Sequence, residues 1–276
     1  MSSTSTESPA LVEHDLPSAH AASNDRTTSG WVLILGATSG IARALAHRLG
    51  QDGHSLLLAG RNQEELTRIA SDLRLRHNVN AEAAPFSALD YASHPEFFET
   101  CIRRTSGRLQ GVLLCYGDML PQAATEKSFE NARQVIDVNF TSAVSILSLA
   151  ATYLEERKSG FIGVISSVAG DRGRQSNYTY GAAKAGLSAF TQGLRNRLHK
   201  SGVHVLTIKP GFVATRMTAG LLNPKSPLVA SPEKVANDIV RAIRRRRTVL
   251  YTPWFWRPIM TLICSIPESI FQKMKL

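Results

Sequence analysis

The run WVLILGATSGIARALAHRL, residues 31–49, decides the fold. Its first five residues are all apolar, read as a strand buried on both faces, and stop at Gly36. From Ile41 onward the apolar positions Ile41, Leu45 and Leu49 recur at helical spacing. The order is strand, glycine turn, helix. Glycine turns tightly and lets the backbone approach a phosphate, and the N–H groups at a helix start attract negative charge. Gly36 and Gly40 occupy those two places, with the hydroxyls of Thr38 and Ser39 between them. The spacing is GxxxGxA, one residue longer between its first glycines than the commoner dinucleotide-binding GxGxxG.

The same alternation continues along the chain. Apolar runs at 55–59, 81–86, 111–115, 161–166 and 203–209 read as strands. Segments at 63–77, 95–105, 129–156 and 178–199 read as helices. Strands and helices in this rhythm give a parallel sheet covered on both faces, an α/β Rossmann-type doubly wound domain over 30–247. Ligands bind such sheets beyond the carboxyl ends of the strands.

Length and composition agree with one large domain. The chain has 276 residues, 43% hydrophobic and 20% charged, which excludes wholesale disorder. Residues 1–29 are rich in Ser, Thr and Ala with no long apolar stretch, and read as a solvated leader. Cys101, Cys115 and Cys264 are few, odd in number and far apart, which fits a reducing compartment and no disulfide framework. The eight histidines lack ligand spacing, so no metal is expected. A net charge of +10 favours anionic partners, but no nucleic-acid module is legible.

Cofactor choice is read at the end of the second strand. An NAD-selective site holds an acidic residue there for the ribose diol; this chain has Gly60 followed by Arg61. A guanidinium can pair with a 2′-phosphate through parallel hydrogen bonds, so NADPH is preferred, with NADH as the lesser alternative. Arg43 is a second candidate phosphate contact. Asp90, after the third strand, can accept from the adenine amino group or cap the next helix.

The chemistry is read from YTYGAAKAG, which sets Tyr180 and Lys184 four apart on one helix face. A tyrosine works as a proton donor or acceptor near neutral pH when a positive charge stabilises its phenolate, and Lys184 supplies one. Ser167 lies thirteen residues upstream, where it can bond a substrate oxygen. Asn139 is a polar residue in an apolar helix, and a buried amide needs partners; it can hold the backbone open for a water leading to the lysine.

Taken together, GxxxGxA, Asn139, Ser167, Tyr180, Lys184 and KPGFVAT resemble the short-chain dehydrogenase/reductase family. That resemblance implies a catalytic tetrad of Asn139, Ser167, Tyr180 and Lys184, with Tyr180 as acid/base and Lys184 lowering its pKa and holding the nicotinamide ribose. It implies cofactor contacts from Gly36, Thr38, Ser39, Gly40, Ile41, Arg61, Asp90, Gly117, Tyr180, Lys184, Pro210, Gly211, Val213 and Thr215. The implied reaction is hydride transfer between nicotinamide and a carbonyl carbon, in a homo-oligomer. Two departures stand out. Ala42 replaces the usual third glycine, and LCYG (114–117) replaces the usual Asn-Asn-Ala-Gly after the fourth strand.

The tail YTPWFWRPIMTLICSIPESIFQKMKL, residues 251–276, follows an arginine run at 244–247. Its apolar run is too short to cross a bilayer and is broken by Pro267. Two readings stand: a lid or subunit contact, or an interfacial segment in which Trp254, Phe255 and Trp256 sit at headgroup depth while Arg257, Lys273, Lys275 and the arginine run meet anionic phosphates. The tail and the LCYG loop resemble the branch of the family that reduces the 2-keto group of a polyprenylphosphoryl pentose to the arabino alcohol. That branch implies a lipid-linked sugar substrate, a flavin oxidase as partner and a peripheral place on the inner face of the cell membrane. The alternatives are a reductase of a soluble keto or 3-oxoacyl substrate, or a non-catalytic membrane-associated scaffold. Residues 217–231 read as a flap over the cleft.

Overall fold

The computed structural model describes residues 1, 30–218, 220, 223 and 226–274. The leader expected over 1–29 lies outside the described residues, except for Met1, and so does part of the expected flap.

The first half of the chain runs β1 (Trp31–Leu35), α1 (Gly40–Gln51), β2 (Ser55–Gly60), α2 (Gln63–His77), β3 (Ala81–Pro85), α3 (His94–Arg104), β4 (Leu109–Leu114), α4 (Gln122–Lys127), α5 (Phe129–Ile136) and α6 (Ser142–Arg157). The second half runs β5 (Phe161–Ile165), α7 (Tyr178–Leu198), β6 (His204–Pro210), β7 (Phe212–Val213), β8 (Val229–Ala230), α8 (Pro232–Arg244), β9 (Val249–Thr252), α9 (Trp256–Ser265) and α10 (Glu268–Phe271). Seven strands form one parallel sheet in the order β3-β2-β1-β4-β5-β6-β9. The order reverses between β1 and β4, and the ligand crevice of such a sheet opens there.

Both sheet faces are covered, which is why the strands read as unbroken apolar runs. Val32, Ile34, Leu56 and Leu58 point into one core with α1, α2 and α8. Leu33, Leu35, Leu57 and Val112 point into the other, with α3, α6 and α7. Alternate residues of β1 thus serve opposite cores, as a period of two requires.

Three features differ from the sequence reading. The helix α8 was not anticipated; Ser231 caps it by accepting from Lys234 N, and Pro232 begins it. The domain boundary expected at 247 falls too early, because β9 pairs with β6 and completes the sheet. Four residues behind an arginine run carry too little pattern to announce a strand. The long helix expected over 129–156 contains a π-helical turn, Asp137–Thr141, between α5 and α6. Among the described residues this run, Phe129–Arg157, is the one helix with the length and hydropathy of a membrane span. It belongs to the domain core, burying Ala143, Ile146, Leu147 and Leu154.

Candidate active site

The glycine turn behaves as the sequence predicts. Gly36 has φ +79°, and a side chain there would meet Tyr116 Cβ at 2.6 Å. Ser39 caps α1: its Oγ accepts from Ala42 N at 3.3 Å and donates to Cys115 O at 3.3 Å. Its hydroxyl therefore ties the turn to the loop after β4. A side chain on Gly40 would meet Pro232 at 3.6 Å and Thr215 at 3.7 Å, so the segment after β6 lies beside the start of α1. Thr215 is held by Thr218, whose Oγ1 accepts from Thr215 N. Ile41 packs partly buried against the α1 core, and Val213 is buried in β7. Ala42, in place of a third glycine, is fully buried in that same core.

The two expected phosphate arginines differ. Arg61 is exposed at the end of β2, has no hydrogen-bond or ion-pair partner among the described residues, and lines a cavity of about 520 Å³ with Gly60, Ser87 and Asp90. Arg43 is already engaged, bonded to Thr38 O at 3.2 Å and ion-paired with Glu65. Asp90 lies at the same cavity and makes no side-chain cap, which leaves its carboxylate open. Glycines that admit a close backbone approach, an α1 first turn without an acidic residue and an unpaired Arg61 together fit a nicotinamide dinucleotide.

The four positions expected to form a tetrad lie together at the carboxyl ends of β4 and β5. Asn139 sits inside the π-turn, where the N–H of Ser142 reaches five residues back to Asp137 O. Such turns recur at functional sites because they release a helix carbonyl and re-aim a side chain. Asn139 Nδ2 donates to Asp118 O at 2.6 Å and Val135 O at 2.8 Å, and Oδ1 accepts from Asp118 N at 3.3 Å. Lys184 is buried on α7, and its Nζ donates to Ile165 O at 3.1 Å. A side chain on Gly117 would meet Asn139 Oδ1 at 2.8 Å and Lys184 Nζ at 3.3 Å. The one glycine that LCYG keeps is the one the site has no room to replace. The rest of that loop works differently from the family pattern: Cys115 N donates to Leu35 O, and Tyr116 bonds Ser142 Oγ at 2.9 Å.

Ser167 lies two residues past β5, its Oγ accepting from Ala169 N at 3.1 Å, and it is near enough to Tyr180 to favour the phenolate. Tyr178 instead lies at the surface, bonded to Glu126 at 3.1 Å. The electrostatics depart from expectation. Burial pushes the Tyr180 pKa up to about 12, and the Ser167 hydrogen bond pulls against it. Burial draws Lys184 down to about 8, opposed by Cys115. Lys184 Nζ stands 5.7 Å from the Tyr180 ring centroid. Desolvation is the larger cause, and it favours protonated Tyr180, the state of a general acid.

A second constellation was not anticipated from the sequence. Asp171, four residues after Ser167, is ion-paired with buried Lys209 and accepts from Tyr251 Oη at 2.9 Å. Arg172 holds the tail: its Nη1 donates to Cys264 O at 3.0 Å and Ile266 O at 2.9 Å, its Nη2 to Glu268 at 2.7 Å, and it lies 4.1 Å from the Phe271 ring centroid. A cation at the carboxyl end of α9 also matches the helix dipole. The available signal was GDRGR, 170–174, a charged cluster placed between two tetrad residues.

The tail is thus folded onto the catalytic loop. Trp256 lies against Gly211, where a side chain would meet its Nε1 at 1.9 Å, and stacks edge to face on Phe212 at 5.1 Å. Trp256 and Met260 pack on Val168, while Trp254 (74%), Leu262 (68%) and Ile270 (55%) stay exposed. The arginine run does not share this surface. Thr252 pairs with Pro210 at the carboxyl edge of the sheet, whereas α8 ends at the amino edge, where Arg244 pairs with Asp52 at 2.6 Å. The expected single face of arginines and tryptophans is therefore divided by β9; Arg257 and Lys273 are the described cations of the tail, and Lys275 lies outside the described residues.

The short chain dehydrogenase family matches residues 30–225. An uncharacterized oxidoreductase of Mycobacterium tuberculosis is 34% identical over 250 residues, covering 91% of this chain and 99% of the relative. One from Streptomyces coelicolor is 33% identical over 244 residues, covering 88% and 95%. Among solved structures, a short-chain dehydrogenase from Sphingobium yanoikuyae in complex with NADPH superposes with TM-score 0.75 at 24% identity, covering 87% of this chain and 97% of that one. An actinorhodin polyketide ketoreductase variant with NADPH gives 0.73 at 23% identity, covering 81% and 95%. These two likenesses establish the fold.

Proposed function

The chain belongs to the short-chain dehydrogenase family and is an NAD(P)-dependent oxidoreductase; from that premise we propose that it is an NADPH-preferring carbonyl reductase whose ketone is carried on a long apolar chain. The substrate class that fits best is the 2-keto group of a polyprenylphosphoryl pentose, reduced to the arabino alcohol. The tail and the LCYG loop resemble decaprenylphosphoryl-2-keto-β-D-erythro-pentose reductase in this respect. One observation carries the reading. The tail is latched to the catalytic loop with Trp254, Leu262 and Ile270 turned outward, and Phe212, Met217 and Leu228 are also exposed on the segment after β6. The two segments meet where Trp256 lies against Gly211 and Phe212, and exposed apolar side chains on both supply material for a partner or lipid surface.

Bound NADPH supplies the hydride. The chain's own residues do the rest. Ser167 orients the carbonyl oxygen, and Tyr180, held protonated by burial, gives its proton to that oxygen as the alkoxide develops. Lys184 and Asn139 flank Gly117 and form the route by which Tyr180 regains a proton. Arg61 would receive the 2′-phosphate, and Gly36, Gly40, Pro210, Gly211 and Thr215 would shape the cradle. In this reading a flavin oxidase supplies the 2-keto sugar, and Arg257 and Lys273 favour an anionic membrane surface.

The test is turnover. Purified enzyme with NADPH and the lipid-linked 2-keto-pentose is expected to oxidise NADPH and release the arabino product, seen by mass spectrometry, and Tyr180→Phe is expected to abolish both. Absence of turnover, or equal kcat/KM for the phosphoryl keto-pentose without its prenyl chain, overturns the proposal. Efficient reduction of 3-oxoacyl compounds supports the soluble-substrate alternative.

A further inference from the structure

The loop joining Ser167 to Tyr180 carries two arginines with opposite fates. Arg172 is saturated by the carbonyls closing α9 and by Glu268. Arg174 is not. Its Nη2 donates to Val168 O at 3.2 Å, its Nε is buried without an acceptor, and among the described residues no carboxylate pairs with it. The nearest acid along the chain, Asp171, is committed to Lys209 and Tyr251.

This is a costly arrangement. Arginine cannot shed its proton in a protein, so the charge stays although burial opposes it. Asp171 favours the charge from a distance but makes no bond to it, so the guanidinium keeps donor capacity that a bound anion can use. Two further groups nearby are in the same state. Asn177 Oδ1, three residues on, is buried without a donor, and so is Trp256 Nε1 without an acceptor. Val168 links this cluster to the chemistry: it follows Ser167 directly, its carbonyl holds Arg174, and its side chain packs with Trp256 and Met260.

We propose that Arg174 is the anion-recognising residue of the ketone site, binding a phosphate or carboxylate carried by the substrate, with Asn177 Oδ1 accepting from a neighbouring substrate hydroxyl. The proposal rests on the carbonyl-reductase reading and narrows its substrate class to anionic ketones. A guanidinium suits this role because its fixed fork of donors matches the oxygens of both anions.

The experiment compares three matched ketones: a neutral keto-pentose, its phosphate ester and a carboxylate-bearing analogue. Arg174→Met is expected to lower the kcat/KM preference for an anionic ketone over the neutral one by about tenfold to a hundredfold, through KM, as the loss of charge-assisted hydrogen bonds implies. Arg174→Lys recovers part of it, and NADPH affinity serves as the folding control. The phosphate and carboxylate arms identify which anion is read. An unaltered preference, or equal loss on the neutral ketone, overturns the proposal. If the wild type reduces none of the three, the enzymatic reading fails separately. Calorimetry with methyl phosphate on the NADP⁺-saturated protein then decides the site: binding lost in Arg174→Met supports it, and no binding overturns it.

Discussion

Replacing Arg172 with alanine should release the tail from the catalytic loop while leaving the sheet intact. Two of its bonds to the end of α9, at 2.9 and 3.0 Å, join a charged donor to neutral carbonyls and are worth about 1.5 kcal/mol each. The pair with Glu268 adds little, because that carboxylate is 77% exposed. The third carbonyl contact, to Ile263 O at 3.5 Å, is too long to count. The total of about 3 kcal/mol corresponds to a shift on the order of a hundredfold in the local opening equilibrium. Native-state hydrogen exchange reads it directly. Amides of α9 are expected to exchange on the order of a hundredfold faster, with those of α6 unchanged. Unaltered α9 protection would refute the latch, and a uniform loss over α6 and α9 would show the tail to be part of the global unit.

Three further outcomes follow from the site. Arg61→Asp should cut kcat/KM for NADPH by on the order of a hundredfold, since it exchanges charge-assisted bonds for repulsion, and should spare NADH; equal losses on both cofactors would make Arg61 structural. Gly117→Ala forces a methyl to 2.8 Å from Asn139 Oδ1 and 3.3 Å from Lys184 Nζ, an overpacking of about 1–3 kcal/mol placed on two residues of the proposed tetrad. Its steady-state rate should fall at least about tenfold with the fold retained by circular dichroism, and wild-type activity would contradict the packing. The pH profile has a definite sign: Lys184, drawn down to about 8, is charged below that pH and neutral above it, while Tyr180 at about 12 stays protonated throughout. Reductive kcat/KM should be level below about pH 8 and fall above it, and a profile flat to about pH 10 would remove Lys184 from this role.

Where the chain's physics is local, the sequence was readable. β1, β2 and β4 to β6 are buried on both faces and appear as apolar runs; Tyr180 and Lys184 are one helical turn apart. The failures are equally physical. The π-turn at Asp137–Thr141 leaves no mark on periodicity, because α6 is apolar around much of its circumference. β9 is four residues long, and α8 was signalled only by Ser231, Pro232 and an amphipathic stripe. The tail's orientation depends on Arg172 meeting carbonyls more than ninety positions away, for which no local pattern exists. The upward shift of the Tyr180 pKa was not legible, because a lysine at i+4 is visible in sequence and desolvation is not.

The most direct measurement is steady-state reduction of the polyprenylphosphoryl 2-keto-pentose by the full chain, set beside the same phosphoryl keto-pentose without its prenyl chain and beside an enzyme carrying Trp254→Ser, Leu262→Ser and Ile270→Ser. NADPH-dependent formation of the arabino alcohol is expected, with a kcat/KM at least about tenfold higher with the prenyl chain and loss of that advantage in the triple variant, as burial of apolar surface requires. Equal kcat/KM with and without the chain, or an advantage that survives the triple variant, would contradict it.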